Sequence, residues 1–179
     1  DPMGALMMDT GPKVGEASPV VDLPALVGNT RVTIGRPGDK STLLFFLSPT
    51  CPVCKTVLSI ALALQRSEGE SLRLVLASDG AREEHQAFVE RSVPRGVPYL
   101  LSTDLGLVYR VGKLPYAVLI DAGDRVVQLV PPARGDLARI GDAHDARLCL
   151  SQRTRFVGNQ RGMRPVSTRS RGVRIGGFR

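Results

Sequence analysis

Cys51 and Cys54 are separated by Pro52 and Val53 and preceded by Thr50. A C-x-x-C pair can close a disulfide, and when reduced it can share one thiolate between two sulfurs. The spacing is most useful at the start of a helix. With Cys51 as N-cap and Pro52 as first helical residue, several unpaired backbone N–H groups point toward the Cys51 sulfur. The positive end of the helix dipole adds to their effect. Both lower the Cys51 pKa from the free value of about 8.5 toward neutrality or below. Cys54, one turn further on, is expected to be less exposed and to keep the higher pKa. Cys51 is therefore the expected nucleophile and Cys54 the resolving thiol, with Thr50 and Pro52 in supporting positions. A zinc site would need two further ligands, and Cys149, His85 and His144 show no paired spacing. Neither a metal nor any cofactor is expected. Cys149 reads as a bystander thiol, Lys55 as a solvated lysine and His85 as a surface residue. Tyr99, Tyr109 and Tyr116 read as packing residues.

The elements that must hold the dithiol can be read on either side of it. Leu43-Leu44-Phe45-Phe46-Leu47 is a continuous apolar run, as expected for a strand buried on both faces of a sheet. Downstream of the cysteines, Val57, Leu58, Ala61, Leu62 and Leu64 recur at helical spacing, up to Gly69. Leu72 to Ala77 is a second buried strand. Ala81 to Ser92 reads as a helix with Ser78 and Asp79 as cap candidates. Val97 to Leu101 is extended, and Asp104 to Arg110 can make a short helix. Tyr116 to Asp121 and Arg125 to Val130 form a hairpin around Ala122-Gly123. Upstream, Val20 to Leu26 and Arg31 to Ile34 are short β-prone pieces. The layout is α/β, a central mixed sheet flanked by helices. It puts the dithiol in the loop after a central strand, where such sheets carry their sites.

Pro115 opens the next-to-last strand, where proline is tolerated. In the thioredoxin-like layout that this order of elements resembles, the Leu114–Pro115 bond is expected to be cis, packed against the cysteines. The Leu114 backbone would then pair with an extended client chain.

Composition limits the alternatives. The net charge of +7 over 179 residues would suggest nucleic acid or an anionic surface as partner. Its distribution argues otherwise. Residues 1–130 hold 13 Lys and Arg against 14 Asp and Glu, whereas residues 131–179 hold 11 Arg against 3 Asp. The basicity belongs to a tail, so no nucleic-acid partner is expected. Three domains of organisation follow: a Gly- and Pro-containing linker over 1–19, a folded domain over 20–130, and an Arg-rich, poorly ordered tail over 131–179. The longest apolar runs fall far short of the ~18–20 residues that span a bilayer. Beginning at Asp1, the chain reads as a fragment or a processed form.

With strand, Cys51-Pro52-Val53-Cys54, helix and Pro115 in place, the chain resembles the thioredoxin superfamily. Within it, the chain is similar to the methylamine utilization accessory proteins of the MauD family. Gly4-Ala5-Leu6-Met7, Gly11-Pro12-x-Val14-Gly15, Ser48 to Lys55 and Gly112-Lys113-Leu114-Pro115-Tyr116 carry that resemblance, over about residues 4–130. It implies a thioredoxin-like fold and a periplasm-facing domain tethered by an N-terminal membrane helix, beyond which Asp1 would lie. It also implies a disulfide-rich client, the methylamine dehydrogenase small subunit, whose disulfides are formed, reduced or isomerised during maturation. An upstream membrane thiol–disulfide partner would supply or remove electrons. Two features depart from related proteins. No closing helix is recognisable after Val130, and Phe45 stands where ordinary thioredoxins bury a carboxylate, which argues against a general cytosolic reductant.

Two other readings compete. A thiol peroxidase would use Cys51 alone, with Pro seven and Ser or Thr three residues upstream; Ser48 fits the second position but Leu44 occupies the first. A non-catalytic chaperone or metal-handling module would hold the client, or a soft ion such as Cu(I), through the two thiols.

Overall fold

A computed structural model of the chain describes residues 11–130. Strands β1 (Val21–Pro24) and β2 (Arg31–Ile34) form a small antiparallel sheet. Then follow β3 (Ser41–Phe46), α1 (Pro52–Glu68), β4 (Leu72–Ser78), α2 (Arg82–Ser92), β5 (Tyr99–Leu101), α3 (Thr103–Val108), β6 (Tyr116–Ile120) and β7 (Val126–Val130). The main sheet has the order β5-β4-β3-β6-β7. β3, β4 and β5 run parallel, whereas β6 is antiparallel to β3 and to β7.

The apolar run of β3 is continuous because both of its faces are covered. Strand alternation sends Leu43, Phe45 and Leu47 to one core, with Leu58 and Ala61 of α1 and Phe88 and Val89 of α2. It sends Leu44 and Phe46 to the other, with Leu105 of α3, Tyr109 and the β2 residues Val32 and Ile34. Leu43, Leu44 and Phe45 are at most 1% exposed, so β3 is a central strand in the full sense.

Several local expectations need correction. α2 begins at Arg82, and its N-cap is Ala81, which makes no side-chain cap bond. Ser78 cannot serve as a cap because it is the buried last residue of β4 and donates its hydroxyl to the Leu47 carbonyl at 2.6 Å. The third helix ends at Val108; Arg110 has φ 54 and so cannot extend it. β5 starts only at Tyr99.

His85 is not on the surface but 2% exposed, aligned with Phe88 and Val89 on the inner stripe of α2. Part of the expected linker is tied to the domain. Gly15 donates to the Val126 carbonyl at 2.7 Å, Val126 to Glu16 at 2.9 Å, and Ser18 to Asp124 at 2.9 Å. The expected tail over 131–179 and the closing helix, with Cys149 and His144, lie outside the described residues. Among the described residues, no helix is long and apolar enough to cross a membrane.

Candidate functional site

The loop between β3 and α1 is closed by its own residues. Cys51 N–H donates to the Ser48 carbonyl at 3.2 Å, a four-residue turn with Pro49 at its second position, where proline's fixed φ fits. Thr50 is exposed, and its hydroxyl lies 3.0 Å from that of Ser48. Cys51 is extended (φ −85, ψ 110) and is the N-cap of α1, with Pro52 as the first helical residue. The Cys51 sulfur accepts from the Cys54 N–H at 3.1 Å. Sulfur replaces the usual oxygen of a helix cap, and the end of a 17-residue helix faces it. That geometry favours negative charge on Cys51 when the pair is reduced.

Cys51 and Cys54 are joined by a disulfide, with Cα atoms 5.2 Å apart. The two sulfurs have unequal surroundings. Cys51 is half-buried at the rim, whereas Cys54 is fully buried. The inner stripe of α1, Cys54, Leu58 and Ala61, keeps the i, i+4, i+7 spacing and turns Cys54 into the core containing Phe45 and Leu47. An attacking thiol therefore has access to the Cys51 sulfur and not to the Cys54 sulfur.

The Leu114–Pro115 peptide is cis. β6 pairs with β3 through Tyr116 opposite Phe46, so Pro115 falls opposite Leu47, at the end of β3 that leads into the dithiol loop. Leu114 packs against the same core as Cys51 and Cys54. The structure thus gathers Thr50, Cys51, Pro52, Cys54, Leu114 and Pro115 at one end of the sheet. Lys55 is exposed beside them, and Tyr116 is half-buried.

A second buried system begins at the same end of β3. The Leu47 carbonyl accepts from Ser78, and His85 Nδ1 lies 2.8 Å from the Tyr99 hydroxyl, which also has Ser78 beside it. A carbonyl can only accept, so Ser78 spends its proton on Leu47. Between His85 Nδ1 and the Tyr99 hydroxyl the donor is set by the imidazole tautomer. Burial pushes the Tyr99 phenol up to about 12, against the opposing effect of Ser78. Sequence reading missed this chain of bonds, although the i, i+3, i+4 spacing of His85, Phe88 and Val89 carried the signal. Among the described residues, no group of three or more His, Cys, Asp or Glu could hold a metal ion.

A mixed sheet, a dithiol capping the first long helix and a cis-proline at the facing strand define a thioredoxin-like dithiol protein, the class of the thiol–disulfide oxidoreductases. The chain is a homologue of the methylamine utilization protein MauD. It is 40% identical over 127 residues to MauD of Paracoccus versutus, covering 71% of this chain and 62% of that protein. With MauD of Methylorubrum extorquens the identity is 42% over 122 residues, covering 67% and 58%. The chain thus spans about 60% of the length of these curated relatives.

No family model matches. Among solved structures, a protein assigned as the thiol:disulfide interchange protein DsbE in Chlorobium tepidum superposes with TM-score 0.67 at 17% identity, over 76% of this chain and 98% of that one. A secreted Mycobacterium tuberculosis disulfide oxidoreductase gives 0.58 at 18%, over 70% and 95%. Both likenesses concern the fold.

Proposed function

We propose that this chain is the redox domain of a thiol–disulfide oxidoreductase of methylamine utilization. Its client is the disulfide-rich small subunit of methylamine dehydrogenase, whose disulfides it forms, reduces or isomerises during maturation. The domain faces the periplasm, held by an N-terminal membrane anchor, and exchanges electrons with a membrane thiol–disulfide partner.

The observation that carries the chemistry is the inequality of the two sulfurs: Cys51 caps a helix at the rim, and Cys54 is sealed beneath it. In the reducing direction the Cys51 thiolate attacks a client disulfide, one client sulfur leaves as thiolate, and a Cys51–client disulfide forms. Cys54 then attacks the Cys51 sulfur, the second client thiol departs, and the protein ends as the Cys51–Cys54 disulfide. Disulfide insertion is the same path reversed. The assignment to methylamine utilization rests on the resemblance to MauD over residues 4–130 and on the identity of about 40%.

The test is the Cys51–Cys54 reduction potential, by equilibration with glutathione and mass-spectrometric trapping. A value near about −120 mV identifies an oxidant of the client, and one near about −270 mV a reductant or isomerase supplied with electrons. Failure to form a reversible Cys51–Cys54 disulfide would overturn the proposal.

A further inference from the structure

The dithiol loop leaves the sheet through one peptide group. Leu47 ends the apolar run of β3, and both of its backbone groups are tied to β4. Its N–H donates to the Ala77 carbonyl at 3.0 Å, and its carbonyl accepts the Ser78 hydroxyl at 2.6 Å. The first bond continues the sheet; the second is made by a side chain. Ser78 is buried, and its own carbonyl accepts from the Ser102 N–H at 2.8 Å, so its hydroxyl starts from a fixed backbone. Behind it stand the Tyr99 hydroxyl and, bonded to that, His85.

From Leu47 the connection to Cys51 is Ser48, Pro49 and Thr50, and its bonds run within itself. The Leu47 carbonyl and the Ser48 nitrogen share one rigid plane, so the Ser78 bond sets the direction in which Ser48 leaves the sheet. The Ser48 carbonyl accepts from the Cys51 N–H at 3.2 Å, and Pro49 between them has its φ fixed. Cys51 in turn holds its sulfur 3.1 Å from the Cys54 N–H, at the start of α1. One unbroken series therefore joins Ser78 Oγ to the Cys51 sulfur: hydroxyl, Leu47–Ser48 plane, Ser48 carbonyl, helix cap.

We propose that Ser78 is a positioning residue of the dithiol, its hydroxyl holding the Leu47–Ser48 peptide in the orientation that seats the Cys51 sulfur on the N-terminus of α1. This rests on the dithiol reading above and adds a residue of another strand that governs the reactivity of Cys51. The benefit a thiolate draws from a helix end falls off within the first turn, so it depends on small displacements of the sulfur. Without the hydroxyl, Leu47 keeps its N–H bond, but its carbonyl loses its partner and the peptide turns to find another. The turn passes along the series, and the sulfur moves off the helix end.

The test is the pH profile of the reaction between the reduced full-length chain and glutathione disulfide. The Cys51 thiolate attacks one glutathione sulfur and the other glutathione leaves as thiolate. Cys54 then displaces the bound glutathione as the protein disulfide forms. Ser78→Ala should move the midpoint of the profile to higher pH. Below the midpoint the rate should fall about threefold or more, with the high-pH plateau kept. Ser78→Thr, which retains the hydroxyl, should restore the profile, and Ser78→Val, of the same shape without it, should not. That matched pair decides the question if the alanine variant does not fold. Tyr99→Phe keeps the Ser78–Leu47 bond, so it should lower stability and leave the profile in place. Lys55, Asp79 and Lys113, the charged groups at this end of the sheet, are exposed and common to every variant.

A Ser78→Ala profile superposable on that of the unsubstituted chain would overturn the positioning role while leaving the dithiol chemistry intact. So would equal profiles for Ser78→Thr and Ser78→Val, or a Tyr99→Phe shift as large as that of Ser78→Ala. A midpoint on the unsubstituted chain at the free-thiol value of about 8.5 would overturn it without any variant, since Ser78 would then have no stabilisation to maintain. Absence of any reaction with glutathione disulfide would overturn the dithiol reading and the role of Ser78 together.

Discussion

The buried bond between His85 and Tyr99 makes the cost of removing its two partners asymmetric. Tyr99→Phe removes the hydroxyl that bonds His85 Nδ1. His85 is 2% exposed, so its Nδ1 is left without protein or solvent partner. A buried polar atom orphaned in this way costs about 1–3 kcal/mol. Ser78 keeps the bond it donates to Leu47, so it adds little.

His85→Leu is a milder change. It deletes the imidazole's polar atoms outright, leaves the Tyr99 hydroxyl with Ser78 beside it, and places an apolar group among Phe88 and Val89, for about 1 kcal/mol or less. The double variant should therefore be no less stable than Tyr99→Phe alone, with a coupling of about 1–2 kcal/mol. Urea unfolding of the oxidised chain at fixed pH, read as a change of midpoint at constant slope, measures all four corners of the cycle. A Tyr99→Phe cost below about 0.5 kcal/mol, or strict additivity of the two changes, would refute this asymmetry.

Two further outcomes follow from the site and its surroundings. Cys54→Ser, which leaves the rim sulfur in place, should accumulate a Cys51-linked client or glutathione adduct detectable by mass, whereas Cys51→Ser should accumulate none; equal adducts would deny the division of roles. Burial raises the Tyr99 and Tyr109 phenols to about 12. The folded chain thus holds protons that the unfolded chain releases near pH 10, so stability is fully present below that pH. It then falls between about 10 and 12, by up to about 1.4 kcal/mol per pH unit for each tyrosine. A urea midpoint that stays level from pH 8 to 11.5 would contradict this.

What could be read from the sequence was whatever depended on neighbours along the chain. The β3 run, the helix after Cys51 and the hairpin after Pro115 each follow from local pattern, and their order fixes which end of the sheet carries the dithiol. Contacts between distant segments were not legible. His85 has the composition of a surface residue on a helix rich in Glu and Arg, and only Tyr99, fourteen positions away, turns it inward. Ser78 looked like a cap because Ser before a helix commonly is one. The strand simply continues through it, and its hydroxyl is drawn to Leu47, thirty-one residues earlier. Residues 15–18 belong to the Gly- and Pro-containing stretch that reads as a linker. Yet they run along β7 because Val126 and Asp124 offer unpaired backbone at the sheet's edge.

The replacement of a buried carboxylate by Phe45 shapes the second half of the proposed reaction. Cys54 is enclosed with Phe45, Leu47, Leu58 and Ala61, an environment that opposes charge on its sulfur. The buried His85 is committed to Tyr99 through Nδ1, and a Cβ on Gly80 would stand 3.1 Å from its Nε2. When Cys54 attacks the Cys51–client disulfide its proton must go elsewhere, and the departing client thiolate is the one base the reaction itself creates. Transfer to that leaving sulfur couples release of the client to deprotonation of Cys54. Resolution then runs faster with more basic client thiols, opposite to the usual preference for a low-pKa leaving group. The same coupling lengthens the life of the mixed disulfide, the interval in which the proposed client can present a second cysteine and leave with its pairing changed.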